Sequence, residues 1–179
     1  MPSALLDQAL ALASFSPSVG YSQPWRFVRV CDPARRTAIR ENFLRCNQAA
    51  LANYEEERAQ LYAKLKLAGL DDAPVHLAVF CDIETGTGHG LGRQTMPEML
   101  EYSAAIACHT LWLAARVQGL GMGWVSILDP VEARKTLDVP EPWKFIAYLC
   151  IGFPKEEHID PELARHNWEQ YQKPEVLER

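Results

Sequence analysis

Residues 101–118 are apolar around almost the whole circumference of the helix that their spacing predicts. Ala104, Ala105, Ile106, Ala107, Cys108, Leu111, Trp112, Leu113, Ala114, Ala115 and Val117 leave it no broad polar face. Such a helix must be covered on more than one side. His109 and Arg116 interrupt the run, which falls short of the roughly 18 to 20 apolar residues that a bilayer crossing takes, so the cover has to be protein. A chain of 179 residues, 48% hydrophobic and 23% charged, is of single-domain size and can build one core around this helix. With only about four strands available, one sheet face covers one side of it. A second copy of the chain is expected on the other, meeting Leu111, Trp112, Leu113 and Val117 in an isologous homodimer.

The rest of the pattern supplies that sheet. Leu5, Leu6, Ala9, Leu10 and Ala13 recur at helical spacing behind Ser3, which predicts a first helix capped by that serine. Residues 25–30 alternate apolar and basic side chains as a half-buried strand does, and residues 75–81 form the continuous apolar run of a strand covered on both faces. Between them, residues 33–67 read as one polar helix stopped by Gly69, with the charged stretch Glu55 to Arg58 as its solvated face. Residues 82–97 are a glycine-rich loop, 123–128 a third strand, 131–137 a short helix and 145–151 a fourth strand. From residue 154 onward the chain is polar, with Trp168 and Tyr171 as anchors. The expected fold is a single α+β domain, residues 1–179, with a mixed sheet of about four strands flanked by helices.

Composition narrows the chemistry. With 18 basic and 23 acidic residues, the net charge of -5 offers no footprint for nucleic acid. Five cysteines without a Cys-x-x-Cys pair argue against a disulfide framework or zinc site, and Met1 to Ala13 lack the charged start of a secretory signal. A reducing, cytoplasmic setting is expected, with no membrane partner. The chain has no Gly-x-Ser-x-Gly, Walker or His-Glu-x-x-His motif, its histidines are scattered, and its glycines at 86–92 lack a strand-to-helix context. No metal is expected. His109 reads as a satisfied core or interface histidine, and the thiols as buried and inert.

Two segments remain. Ser16-Pro17-Ser18-Val19-Gly20-Tyr21-Ser22-Gln23-Pro24-Trp25 offers hydroxyls, an amide and a glycine before a strand. It is either a cradle for a planar polar ligand or an ordinary proline-rich turn stapled by Trp25. Gly119-Leu120-Gly121-Met122-Gly123-Trp124-Val125-Ser126 strips side chains from one face, as happens where a flat ring or a backbone packs closely, or where a helix simply turns into a strand.

These two segments, with Gly90-Leu91-Gly92-Arg93-Gln94-Thr95-Met96-Pro97-Glu98-Met99, Leu61 to Leu67 leading into Ala73-Pro74-Val75-His76, and Trp124-Val125-Ser126-Ile127-Leu128, resemble the 5,6-dimethylbenzimidazole synthase branch of the nitroreductase-like flavoproteins. The resemblance spans roughly residues 5–154. It implies a nitroreductase-like fold and a homodimer with FMN at the subunit interface. It also implies the oxygen-dependent fragmentation of reduced FMN that makes the lower ligand of cobalamin. On that resemblance Ser18, Gly20, Gln23, Trp25, Arg93, Gly121, Met122 and Gly123 bind the cofactor, and Ser126 assists the oxygen chemistry as the catalytic residue. Residues 155–179 pack on the partner subunit. Family members carry an arginine-rich, phosphate-gripping motif with a functional acid before the first helix, and these residues hold no counterpart of it. Lys173, after Trp168, is the remaining match to the family's C-terminal basic residues. Two other readings stay open: an NAD(P)H-driven reductase acting on a small organic acceptor, and a shortened, inactive relative that serves as a binding protein.

Overall fold

A computed structural model describes residues 1–64 and 68–179, and it places the doubly covered run near the middle of a four-stranded sheet. The order is β1 (Trp25–Arg29), β2 (Val75–Asp82), β4 (Trp143–Gly152), β3 (Gly121–Val125). Trp25 lies opposite Cys81, Val75 opposite Ile151, and Val125 opposite Tyr148. The α+β class holds, but every strand pair is antiparallel rather than mixed. The reason is the path of the chain. Helix α5 (Met99–Val117) carries it back along the sheet, so β3 runs in the direction of β2, and β4 then returns between them, antiparallel to both.

Alternation along the strands divides the interior. Leu77, Val79, Ala147, Leu149 and Ile151 face α1 (Ser3–Ala13) and α5, burying Leu6, Ala9, Cys108 and Leu111. Ala78, Phe80, Tyr148 and Cys150 face the other layer, built from α2 (Pro33–Leu51) and α6 (Pro130–Leu137). Ser3 is the first helical residue of α1, and Pro2 takes the cap position.

Helix α5 turns Ser103, Ala104, Ala107, Cys108, Leu111, Ala114 and Ala115 inward. Tyr102, Ile106, Trp112, Leu113 and Val117 remain exposed, Val117 at 89%. Leu111, expected on the two-fold surface, is 0% exposed within its own chain. His109 is not a core residue: it is exposed, with its ring centroid 5.9 Å from that of Trp112.

The long helix predicted over 33–67 is two helices, α2 and α3 (Glu56–Lys64), and its predicted end at 65–67 lies outside the described residues. The chain turns at 52–55 because Tyr54 packs inward, its ring 4.8 Å from Tyr62 and edge-on to Trp168 at 5.6 Å. Glu55 and Glu57 then stand at the start of a helix, where negative charge meets the positive end of the dipole. Gly69 is not a stop but opens α4 (Gly69–Asp72), and a Cβ there would lie 2.9 Å from the Cys150 Cβ. Trp168 is an anchor as expected, with the Arg58 guanidinium 4.7 Å from its ring centre, whereas Tyr171 is 85% exposed. All five cysteines are free, and Cys31 is exposed. Burial pushes the thiols of Cys81, Cys108 and Cys150 up to about 12.

One buried pair makes stability depend on pH. His76, 3% exposed, pairs through Nδ1 with the hydroxyl of the fully buried Tyr148 at 2.9 Å. Burial, with the charge of Arg36 adding to it, holds the His76 pKa below its ordinary 6.5. The unfolded chain takes up this proton near the ordinary value and the native chain only at lower pH. The contribution of His76 to stability is therefore complete above the unfolded value and falls away as pH drops below it. Urea unfolding between about pH 5 and 7.5 checks this, with a shallower slope of stability against pH expected in His76→Gln than in wild type.

Candidate functional site

The loop before β1 is built on left-handed backbone: Gly20 (φ 56), Tyr21 (φ 57) and Gln23 (φ 46). Its half-buried Ser18 accepts the Gln23 N–H at Oγ, 3.1 Å away, and the Val19 N–H donates to Ser103 Oγ on α5 at 3.0 Å. Glycine is required where this loop meets the loop after β2. A Cβ on Gly20 would stand 2.7 Å from Leu91 O, and one on Gly88 (φ +82) would stand 2.5 Å from Gly20 O. That backbone contact brings Arg93 to the same region. Arg93 lines a cavity of about 620 Å³ with Thr85, Gln94, Glu98 and Glu101, beside the 2.8 Å ion pair of Lys144 with Glu101. Gly20 thus touches the loop that carries Arg93, while the cavity that Arg93 lines takes in none of Ser18, Gly20 and Gln23. Trp25, 8% exposed, lies beneath them in the core against Cys81, Leu100 and Ala104.

The second segment stands at the other edge of the sheet. Gly123 is exposed, and a Cβ built on it would meet nothing within 4 Å, so the backbone there is open to a flat ligand. Gly121 is more enclosed, with Pro154 Cβ 3.6 Å from the equivalent point, and Met122 packs into the core beside α5. Ser126, exposed, opens the turn into α6. A residue that sequence reasoning missed clamps this turn. Asn42 of α2, 0% exposed, donates Nδ2–H to Asp129 O at 3.0 Å and accepts the Asp129 N–H at Oδ1 at 2.8 Å. Nothing in a lone asparagine on a polar helix signals a partner 87 positions away. Lys173 is exposed on the C-terminal segment beyond α7 (Glu162–Arg165).

Strands β1 and β3 are the two edges of the sheet, three strand spacings or about 14 Å apart. One chain therefore does not bring the Ser18 and Gln23 loop onto Gly123 and Ser126. Among the described residues no cluster of three or more His, Cys, Asp or Glu side chains could hold a metal, and no helix is long and apolar enough to cross a membrane.

The fold is thus an antiparallel sheet between helical layers, with the Ser18 and Gln23 loop at one edge and a strand carrying Gly121 and Gly123 at the other. The Nitroreductase family profile matches residues 1–153, and the chain belongs to that family. It is 59% identical over 170 residues to the 5,6-dimethylbenzimidazole synthase of Rhodospirillum rubrum, covering 95% of this chain and 81% of that protein. Among solved structures, iodotyrosine deiodinase bound to FMN and 3-iodo-L-tyrosine has a TM-score of 0.74 at 24% identity, over 100% of this chain and 88% of the other. A BluB-like flavoprotein from Clostridium difficile has a TM-score of 0.68 at 18% identity, over 97% and 90%. Both share the fold.

Proposed function

We propose that this chain is an FMN-dependent 5,6-dimethylbenzimidazole synthase that works as a homodimer in the cytoplasm. The observation that carries the reading is 59% identity across 95% of the chain to the Rhodospirillum rubrum enzyme, a span that includes both site segments.

The residues present fit FMN. Gly123 leaves room for a flat ring. Ser18, Gln23 and Arg93 are hydrogen-bonding groups of the kind that a flavin's polar edge takes, and the buried Ser22 hydroxyl beside them has no partner. When bound and reduced, FMN supplies the electrons that reach oxygen and the ring that becomes product. The protein's part is placement. The Ser18 hydroxyl, already an acceptor from Gln23 N–H, keeps its own proton to donate. Arg93 brings positive charge to the polar edge, the backbone at 121–123 lies along the ring, and Ser126 presents a hydroxyl to the reacting side. NAD(P)H is the proposed source of the reducing equivalents, and Lys173 the cation for the phosphate.

The opposite-edge placement of the two segments supports a site assembled from two chains. Trp112, Leu113 and Val117 on α5 supply an exposed apolar surface to join them; burying Val117 contributes roughly 1.5–3 kcal/mol, and the already half-buried Trp112 and Leu113 about half as much each. Within residues 155–179, Lys155 and Trp168 meet their own chain, and it is the exposed stretch from Tyr171 onward that then packs on the partner subunit. Sedimentation is expected to show twice the chain mass for wild type and a shift toward monomer for Leu113→Glu; a monomeric wild type removes the shared site.

Reduced FMN and air are expected to yield 5,6-dimethylbenzimidazole, detected chromatographically. No product under saturating reduced FMN, in an assay where the Rhodospirillum rubrum enzyme makes it, overturns the synthase reading. The breadth of the family match favours NAD(P)H-dependent reduction of an organic acceptor as the second reading, and FMN-dependent NAD(P)H oxidation with a quinone or nitroaromatic identifies it. A dimer inactive in both assays is the binding protein of the third reading.

A further inference from the structure

The left-handed loop at Ser18 and Gln23 is held by its own hydrogen bonds, Gln23 Nε2 donating to Tyr21 O at 3.3 Å among them, and also from outside itself. Tyr21 (φ 57) and Gln23 (φ 46) are non-glycine residues with positive φ, and such backbone persists only where its surroundings over-determine it. Inside the loop, Tyr21 N–H donates to Ser18 O and Ser22 N–H to Val19 O, each at 3.0 Å, and Gln23 N–H donates to Ser18 Oγ. The Gln23 carbonyl takes its donor from the next strand. Arg26 Nη1 reaches Gln23 O at 3.1 Å and Trp25 O at 3.0 Å, while Nη2 binds Asp82 Oδ2 at 2.8 Å.

Asp82 belongs to the same assembly, its own N–H donating to Pro24 O at 2.8 Å. The Arg26 side chain is 31% exposed and that of Asp82 19%, and the guanidinium carbon lies 5.9 Å from the centre of the Trp143 ring. A planar fork thus serves two carbonyls and a carboxylate at once, which the single ammonium of lysine does not reproduce.

We propose that Arg26, aligned by Asp82, is a positioning residue for ligand capture by Gln23: it fixes the left-handed turn, and with it the direction of the Gln23 amide, without itself touching the ligand. This inference rests on the FMN reading above. A pair that merely ties the ends of β1 and β2 together would act on stability alone, with no coupling to Gln23.

A double-mutant cycle separates these roles, with FMN affinity read from quenching of flavin fluorescence and amide hydrogen exchange read in flavin-free protein. Arg26→Met and Gln23→Ala are each expected to weaken FMN binding roughly tenfold, the scale of one lost hydrogen bond at a charged ligand. The double variant is expected to bind no more weakly than the worse single one. Arg26→Lys is expected to follow Arg26→Met, and exchange at residues 21–23 to quicken in both while the centre of β2 keeps its protection. Additive losses in the cycle, unchanged affinity in Arg26→Met, or unchanged exchange at residues 21–23 each overturn the proposal. If wild type binds no FMN, the functional reading fails by itself, and the exchange measurement still decides whether Arg26 holds the turn. Should Arg26→Met not fold, Asp82→Asn replaces it in the cycle.

Discussion

Leu111→Ala is expected to destabilise the protein by roughly 3–5 kcal/mol, the range for deleting a leucine side chain from a site that cannot collapse. Leu111 is 0% exposed and shares its cluster with Leu6, Leu77, Val79, Leu120 and Leu149, so its walls come from a helix, two strands and the segment between α5 and β3. No single element can move in to fill the space. At about 2–4 °C for each kcal/mol in a chain of this size, the melting temperature should fall by roughly 6–20 °C. Leu113, two positions on and 48% exposed, provides the contrast. Its alanine variant should be mild in isolated chains, with a cost that grows with protein concentration as dimers form. Urea unfolding at two protein concentrations reads both effects. A loss below about 1 kcal/mol for Leu111→Ala would mean that its surroundings relax far more than a packed core does.

Asn42→Ala is expected to cost roughly 2–3 kcal/mol, since both hydrogen-bonding groups of the Asp129 peptide backbone lose a buried partner. The larger consequence falls on the site. The same backbone closes the turn that begins at Ser126 and leads into α6, whose first turn is capped by Asp129 Oδ1 accepting Glu132 N–H at 2.8 Å. On the role proposed for Ser126, a hydroxyl free to wander should slow product formation roughly tenfold or more, since a displacement of one ångström costs up to about a hundredfold. Measured well below the melting temperature of the variant, product formation should therefore approach that of Ser126→Ala. A variant that loses stability but keeps wild-type turnover would show that Asn42 braces the core without placing Ser126.

Local pattern carried much of the fold. The all-round apolar run predicted as a helix over 101–118 is α5 (Met99–Val117), and the unbroken run over 75–81 is β2 (Val75–Asp82). Both follow from period and length. The break at 52–55 was not legible, because what ends α2 is a cluster of Tyr54 with Tyr62 and Trp168, and a helix interrupted by side-chain packing carries no glycine or proline to announce it. As a proposal, the candidate site was legible by residue type: hydroxyl, amide and glycine in one segment, alternate glycines in the other. Its geometry was not.

By itself the sequence determined most of the stretches that become helix or strand, since hydrophobic period acts between near neighbours. That Gly20 and Gly88 must be glycine came from the tertiary contact between their two loops, where any side chain collides with backbone. Only the tertiary structure decided the order of the strands, which side of α5 claims Leu111, and the placement of the two site segments at opposite sheet edges. It alone paired Asn42 with Asp129 and Arg26 with Asp82, across 87 and 56 positions. These are contacts between distant parts of the chain, set by how the layers close on one another, and no local period encodes which distant residue will be the partner.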